Sequence, residues 1–142
     1  SMASIALTTA DRIHVVESRE QMTLPAAAAI TAGDVVTVDS DGKFALADAD
    51  GAGTLAISYG IATRTVAAGE PVTAVRKGVL SGWAFSGVAY WTNVLLADTA
   101  GDITVTSSES NGGSADVIIG RVIPVWDHLI GGTPSKAVML TL

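Results

Sequence analysis

Apolar residues fall in short runs along this chain, each bounded by glycine, proline or an Asp-Gly pair. Many of the runs are β-branched or alternate apolar with polar residues, a pattern typical of strands. Strands are predicted at 35–38, 54–64, 72–79, 83–86, 89–95, 103–105, 117–125 and 137–142, with a short one around Ile13, Val15 and Val16. Many short strands at close spacing predict an all-β barrel or sandwich, and we expect a small β-barrel.

Residues 32–44 carry the clearest turn and strand signals in the chain. Gly33 is able to adopt a turn conformation that is closed to other residues, and the β-branched run at 35–38 follows it. Asp41-Gly42 is a strong hairpin signal, so Phe44 is expected to lie at the start of the return strand. The stretch therefore predicts a turn, a strand and a hairpin.

The opening of this stretch recurs twice. Ala32-Gly33-Asp34, Ala68-Gly69-Glu70 and Ala100-Gly101-Asp102 each place Ala-Gly-acid before a β-rich run. The intervals between the three copies differ and their flanks do not match. We therefore interpret them as one local solution to turning the chain into a strand, and not as a solenoid repeat.

The N-terminal residues 1–24 mix charged and apolar side chains without a helical or strand period. They predict an extended arm ordered by what it touches, although a first edge strand explains them equally well. Pro25 and the alanine run at 26–29 are too short for a stable helix and predict an extended lead into the 35–38 strand. The predicted organisation is an arm at 1–24 and a barrel domain at 25–142.

Composition limits the partners that the chain could bind. Its 142 residues suit one domain, and only 15% of them are charged against about 25% in typical soluble domains. This predicts that partners bury part of the surface. The net charge of −6, without a lysine or arginine cluster, disfavours direct binding to nucleic acid or to an anionic membrane. The chain has no cysteine and no apolar run long enough to span a membrane as a helix.

No catalytic, cofactor or metal site is predicted. The fragments 39–42 and 48–51 resemble calcium loops, but they lack the full set of ligands and are explained as turns. His14 and His128 have no cysteine, clustered histidine or nucleophile motif beside them. We therefore do not expect an enzyme.

Aromatic residues make up only 5% of the chain. Most are expected in the core, with at least one Trp at a subunit contact, because Trp and Tyr concentrate in the centres of interfaces. The candidate subunit-interface residues are Trp83, Phe85, Tyr90, Trp91 and Trp126. An alternative is a sugar-stacking platform beside polar loops such as 107–114.

An ordered series of segments resembles the capsid decoration, or cement, proteins of tailed bacteriophages. The series comprises Thr23-Leu24-Pro25-Ala26-Ala27-Ala28-Ala29-Ile30-Thr31-Ala32-Gly33-Asp34, Gly42-Lys43, Tyr59-Gly60-Ile61-Ala62, Ala68-Gly69-Glu70-Pro71-Val72, Ala89-Tyr90-Trp91-Thr92-Asn93 and Ile119-Gly120-Arg121-Val122-Ile123. The resemblance covers about residues 23–123. It implies a small β-barrel or β-tulip protein without catalysis, often a homotrimer, on the outer surface of the capsid.

The resemblance also implies a partner and a location. The partner would be the major capsid protein, and the protein would be made in the cytoplasm of the bacterial host and then bound to the virion. An N-terminal arm commonly reaches along the shell in such proteins, so the candidate capsid-binding residues are Ile5, Leu7, Arg12, Ile13, Val15, Arg19, Met22 and Leu24. The alternative function is a carbohydrate-binding or host-adhesion module, or the base of a head fibre.

Overall fold

The computed structural model describes residues 4–51, 53–110, 116–126 and 132–142. The fold is nearly all β, with 49% strand and 3% helix, which confirms the predicted fold class. The strands are β1 (His14–Pro25), β2 (Val35–Val38), β3 (Phe44–Leu46), β4 (Gly60–Ala62), β5 (Pro71–Ser81), β6 (Asn93–Leu96), β7 (Ile103–Thr104), β8 (Ile118–Val125) and β9 (Ser135–Leu140), with short 3-10 helices at Gly53–Ala56 and Ser107–Glu109. The tip of the predicted 107–114 loop and His128 lie outside the described residues.

Strand β5 organises the sheet. The strands follow the order β3-β2-β4-β5-β9-β8-β6-β7, and β1 pairs with β5 apart from this path. Val75 pairs with Ile61 of β4 and also with Gln21 of β1, so β1 occupies the opposite edge of β5 from β4. Further along, Leu80 pairs with Val138 of β9. The two halves of the sheet, β3-β2-β4 and β9-β8-β6-β7, are therefore joined through β5.

The sheet curls into an antiparallel half-barrel. Its two ends approach each other where the turn before β7 meets β2 and the residue after β3. The amide of Val35 donates to the carbonyl oxygen of Gly101 at 2.8 Å, and the amide of Gly101 donates to the carbonyl oxygen of Ala47 at 2.7 Å. These bonds satisfy backbone groups that an open sheet edge would leave exposed.

Two apolar cores lie on opposite faces of β2, β4 and β5. Because side chains alternate along a strand, Ile61 and Val75 face the main core, whereas their neighbours Ala62 and Ala74 face a second core. The main core also contains Trp83 and Phe85, whose ring centroids are 6.3 Å apart. The second core is built around Phe44 and is covered by Ile30, Val66, Met22 and Leu24.

The predicted hairpin at 32–44 is confirmed. Val36 pairs with Leu46 and Val38 with Phe44, and Gly42 at the tip has a φ of +76°. Residues 26–29 form no helix, as expected.

The recurring Ala-Gly-acid turn is also confirmed. Its three glycines have φ values of +92°, +85° and +80°. In each copy the acidic residue donates its amide to the carbonyl oxygen three residues earlier: Asp34 to Thr31, Glu70 to Ala67 and Asp102 to Thr99. The positive φ at the third position is the geometry of a type II turn, which favours glycine there.

Three strand predictions were wrong in part. The one at 89–95 is a turn at Tyr90 and Trp91 and becomes a strand only at Asn93, where β6 begins. The predicted strand at 54–64 is a 3-10 helix followed by the short β4, and the segment at 83–86 has only an isolated bridge between Trp83 and Leu7. Gly82 and Gly87 flank this segment with φ values of +127° and +79°, so the backbone turns away from the sheet at both ends. The alternation of Trp83 and Phe85 therefore reflects burial in the main core and not pairing within the sheet.

Residues 14–25 form an edge strand, which is one of the two explanations that the sequence left open for residues 1–24. The predicted boundary at residue 24 falls inside β1, which pairs with β5 from His14 to Pro25. Register shifts between Val15 and Glu17, Ser18 and Glu20, and Glu20 and Gln21 interrupt the ladder. Bulges and charges of this kind are common on exposed edge strands.

Candidate interaction surfaces

Three exposed aromatic side chains surround the C-terminal half of β8, and we call them the aromatic rim: Tyr90, Trp91 and Trp126. Their exposed fractions are 40%, 60% and 62%. Trp91 is hydrogen-bonded to Val122 of β8, and Trp126 directly follows the last residue of β8. The chain thus exposes three of its seven aromatic side chains in one region.

Trp91 is held in an unusual backbone conformation. Its φ is +70°, in the left-handed region that side chains other than glycine seldom adopt. Its amide donates to the carbonyl oxygen of Val122 at 2.6 Å, and its own carbonyl oxygen accepts from Nη1 of Arg121 at 3.2 Å. The return bond from the amide of Val122 to the carbonyl oxygen of Thr92 is 3.0 Å long. Neighbouring β8 therefore fixes the backbone that carries this exposed indole.

Tyr90 borders a groove of about 740 Å³ beside the rim. Nζ of Lys136 lies 5.5 Å from the centroid of the Tyr90 ring, within cation–π range, and donates to the carbonyl oxygen of Val88. The groove is also lined by Ser86 and Thr133, which carry hydroxyl groups. It combines an aromatic wall, a cation and hydroxyls.

Trp83 and Phe85 are core residues, which corrects the hypothesis that they form a subunit interface. They are 5% and 2% exposed and belong to the main core. A side chain already covered by its own chain has no apolar area left to bury against a second one. The interface hypothesis retains only the three rim residues.

Most of the predicted capsid-binding residues also pack against this chain. Ile5, Leu7 and Ile13 contact the main core, and Met22 and Leu24 contact the second core. Arg12, Val15 and Arg19 are exposed, and Nε of Arg19 lies 2.8 Å from Oε1 of Glu17. Only these three residues of the set remain free to meet a partner through their side chains without loss of core packing.

The segment at 4–8 crosses the open side of the half-barrel, and we call it the strap. The amide of Ile5 donates to the carbonyl oxygen of Ile103 at 2.9 Å, and that of Thr8 to Gly82 at 2.7 Å. The amide of Ala84 in turn donates to the carbonyl oxygen of Ala6 at 2.8 Å. The strap therefore bridges β7 and the segment that carries Trp83.

A cavity of about 420 Å³ lies beside the strap and contains Asp34 and Asp102. Burial raises the pKa of Asp34 from 3.8 to about 6; the hydrogen bond from the amide of Thr31 opposes the rise, and the charge of Asp102 adds to it. Neither carboxylate is among the site residues predicted from the sequence. The sequence showed only that both residues end a copy of the Ala-Gly-acid turn. Their proximity comes from the packing of Gly101 against the Asp34 carboxylate in the folded chain.

The acidic turns at 39–42 and 48–51 are organised as turns. Oδ1 of Asp39 accepts the amides of Asp41 and Lys43, each at 2.9 Å, and Oδ1 of Asp48 accepts the amide of Asp50 at 3.2 Å. Among the described residues no group of three or more histidine, cysteine, aspartate or glutamate side chains is arranged to hold a metal ion.

The same described ranges contain no helix that is long and apolar enough to cross a membrane. No model of a known protein family matches the sequence. A search of curated proteins likewise finds no match.

Proposed function

We propose that this chain is a non-enzymatic structural protein of a tailed bacteriophage that binds the outer surface of the capsid as a trimer and stabilises the DNA-filled head. The proposal rests on the ordered resemblance across residues 23–123. It is compatible with the barrel-like fold and with the low content of charged residues. A protein that binds only the assembled shell stabilises it by mass action and needs no catalytic group.

The aromatic rim is the observation that supports this function best. Exposed Trp and Tyr side chains are the residue types that dominate binding energy at protein interfaces. Trp91 and Trp126 each expose about three fifths of their surface, and β8 fixes the backbone at Trp91. A fixed aromatic group loses little conformational entropy when a partner covers it.

Binding to assembled heads that lack this protein tests the proposal. We expect saturable binding and a higher temperature of head disruption when the protein is bound. Replacement of Trp91 and Trp126 by alanine should weaken binding at least tenfold, as expected for the loss of two buried anchors. Ile57→Ala is the matched control, because Ile57 is 63% exposed but lies in the loop before β4. Absence of saturable binding, or no gain in heat resistance, would rule out the proposal.

Trimer formation has its own test. Light scattering at micromolar concentration should give three times the mass of one chain. A monomer in solution would contradict assembly before capsid binding and leave association on the shell, which cross-linking on decorated heads would reveal.

A second candidate function is carbohydrate binding at the virion surface, as in a host-adhesion module or the base of a head fibre. The groove beside Tyr90 favours it, because aromatic faces and hydroxyl groups together suit a sugar ring. Glycan-array binding that disappears in Tyr90→Ala, without binding to heads, would support this function over capsid stabilisation.

A further inference from the structure

The strap fills a groove that belongs to the rest of the barrel. Ile5 and Leu7 pack against the main core, and Leu7 forms an antiparallel bridge with Trp83. On the other side, Ser4 forms an antiparallel bridge with Thr104 of β7. Without the strap, the backbone groups of Gly82, Ala84 and Ile103 that now bond to it would lose these partners. The strap therefore supplies the groove with both apolar side chains and backbone hydrogen-bond partners.

A strained turn joins the strap to β1. Asp11 has a φ of +60°, in the left-handed region, and the amide of Arg12 donates to the carbonyl oxygen of Thr9 at a long 3.3 Å. An antiparallel bridge between Thr9 and Arg12 closes the turn, and the Thr65 hydroxyl donates to the carbonyl oxygen of Asp11, also at 3.3 Å. In the strap itself, Oγ of Ser4 is buried without a hydrogen-bond partner among the described residues.

We propose that the strap is exchanged between copies of this chain, so that residues 4–8 of one copy fill the groove of a second copy. The occupant is the same sequence in both arrangements, so every contact of the strap with the barrel is reproduced. The two arrangements differ in the turn at 9–12, which straightens on exchange and releases Asp11 from its left-handed conformation. Short strained connections favour this kind of exchange, and it is a low-cost route to oligomers. The inference holds whether or not the protein decorates a capsid.

Two single-cysteine chains test the exchange directly, because the chain has no cysteine of its own. Ala6 and Ala84 are exposed and lie opposite each other across the strap, joined by the bond from the Ala84 amide to the Ala6 carbonyl oxygen. Hydrogen-bonded antiparallel partners have Cα atoms about 5.5 Å apart, a spacing that a disulfide spans. The Ala6→Cys and Ala84→Cys chains are unfolded together, refolded as a mixture and oxidised.

A mixed disulfide between the two chains is expected on a non-reducing denaturing gel. Ala6→Cys mixed with Asp41→Cys is the control, because Asp41 lies at the tip of the β2–β3 hairpin. Mixed dimers no more abundant than in this control would overturn the proposal.

The turn supplies a second measurement in the double variant with Ala6→Cys and Ala84→Cys, where intrachain and interchain disulfides compete. Asp11→Gly favours the left-handed turn and the closed strap, whereas Asp11→Val disfavours it. We expect the ratio of interchain to intrachain disulfide to be about tenfold higher with Asp11→Val than with Asp11→Gly. Equal ratios would contradict the role of the turn. If Asp11→Val fails to fold, the mixture with the natural turn decides.

Discussion

Asp34→Asn is the substitution whose effect on stability follows most directly from the structure. The folded chain holds this carboxyl beside the cavity next to the strap, where its pKa is about 6 against 3.8 in its ordinary state. The difference of about 2.2 pH units corresponds to about 3 kcal/mol between the ionised and neutral forms. Because the group is only part-buried, solvent screening reduces the effect on stability to about 1–2 kcal/mol.

The sign of the effect follows from which state binds the proton more tightly. The pKa of Asp34 is raised on folding, so between pH 4 and 6 the folded chain holds a proton that the unfolded chain releases. The contribution of Asp34 is therefore most favourable below about pH 4 and is lost as the pH rises through about 6. Asparagine keeps an oxygen that accepts the amide of Thr31 and carries no charge. Asp34→Asn should then be more stable than the natural chain by about 1–2 kcal/mol at pH 7.5, and equally stable near pH 3.5.

Urea unfolding at a series of pH values measures this difference. Asp34→Ala is the matched variant, because it removes the charge together with the acceptor for the Thr31 amide and should forfeit about 1 kcal/mol of the gain. Asp41→Asn, at the exposed hairpin tip, controls for the loss of any one negative charge. If Asp34→Asn were less stable than the natural chain at pH 7.5, or if the stability difference did not change between pH 4 and 6, the account of a part-buried carboxylate with a raised pKa would be refuted.

Four further substitutions separate packing from surface roles. Gly60→Ala should lower the free energy of unfolding by at least about 3 kcal/mol, because a Cβ there would lie 2.1 Å from the carbonyl oxygen of Val75. Gly42→Ala should lower it by only about 1 kcal/mol, because only the positive φ of Gly42 opposes a side chain there. Trp83→Ala should destabilise the fold by about 3–5 kcal/mol. Trp91→Gly should leave stability the same or raise it, because glycine suits the φ of +70°, but should weaken partner binding as much as Trp91→Ala does. Equal unfolding temperatures for Trp83→Ala and Trp91→Gly would contradict the separation of core from rim.

Local signals in the sequence predicted local structure well. The hairpin at 32–44 and the three Ala-Gly-acid turns depend on residues within a few positions of one another, so their glycine and aspartate signals suffice. The expected strands at 72–79 and 117–125 match β5 and β8 closely. In these segments, local propensity and the final pairing agree.

Features that depend on distant contacts were less predictable. Residues 14–25 become a strand because β5 lies beside them, and residues 4–8 are held by groups about 75–100 positions away in the chain, at Gly82, Ala84 and Ile103. Whether an aromatic side chain is buried or exposed also depends on such contacts, because nothing in the local sequence distinguishes buried Trp83 from exposed Trp91. The burial of Asp34 follows from the meeting of two turns about 67 residues apart.

The two cores on opposite faces of the sheet have a consequence for strand register. A slip of one residue turns every side chain of a strand to the other face. In β4 it would move Ile61 into the small second core and leave Ala62 in the space that isoleucine fills in the main core. A sheet with one face in water resists such a slip only through that one core. Here the same slip would overfill the second core and leave a cavity in the main core, so the packing of both cores opposes a change of register.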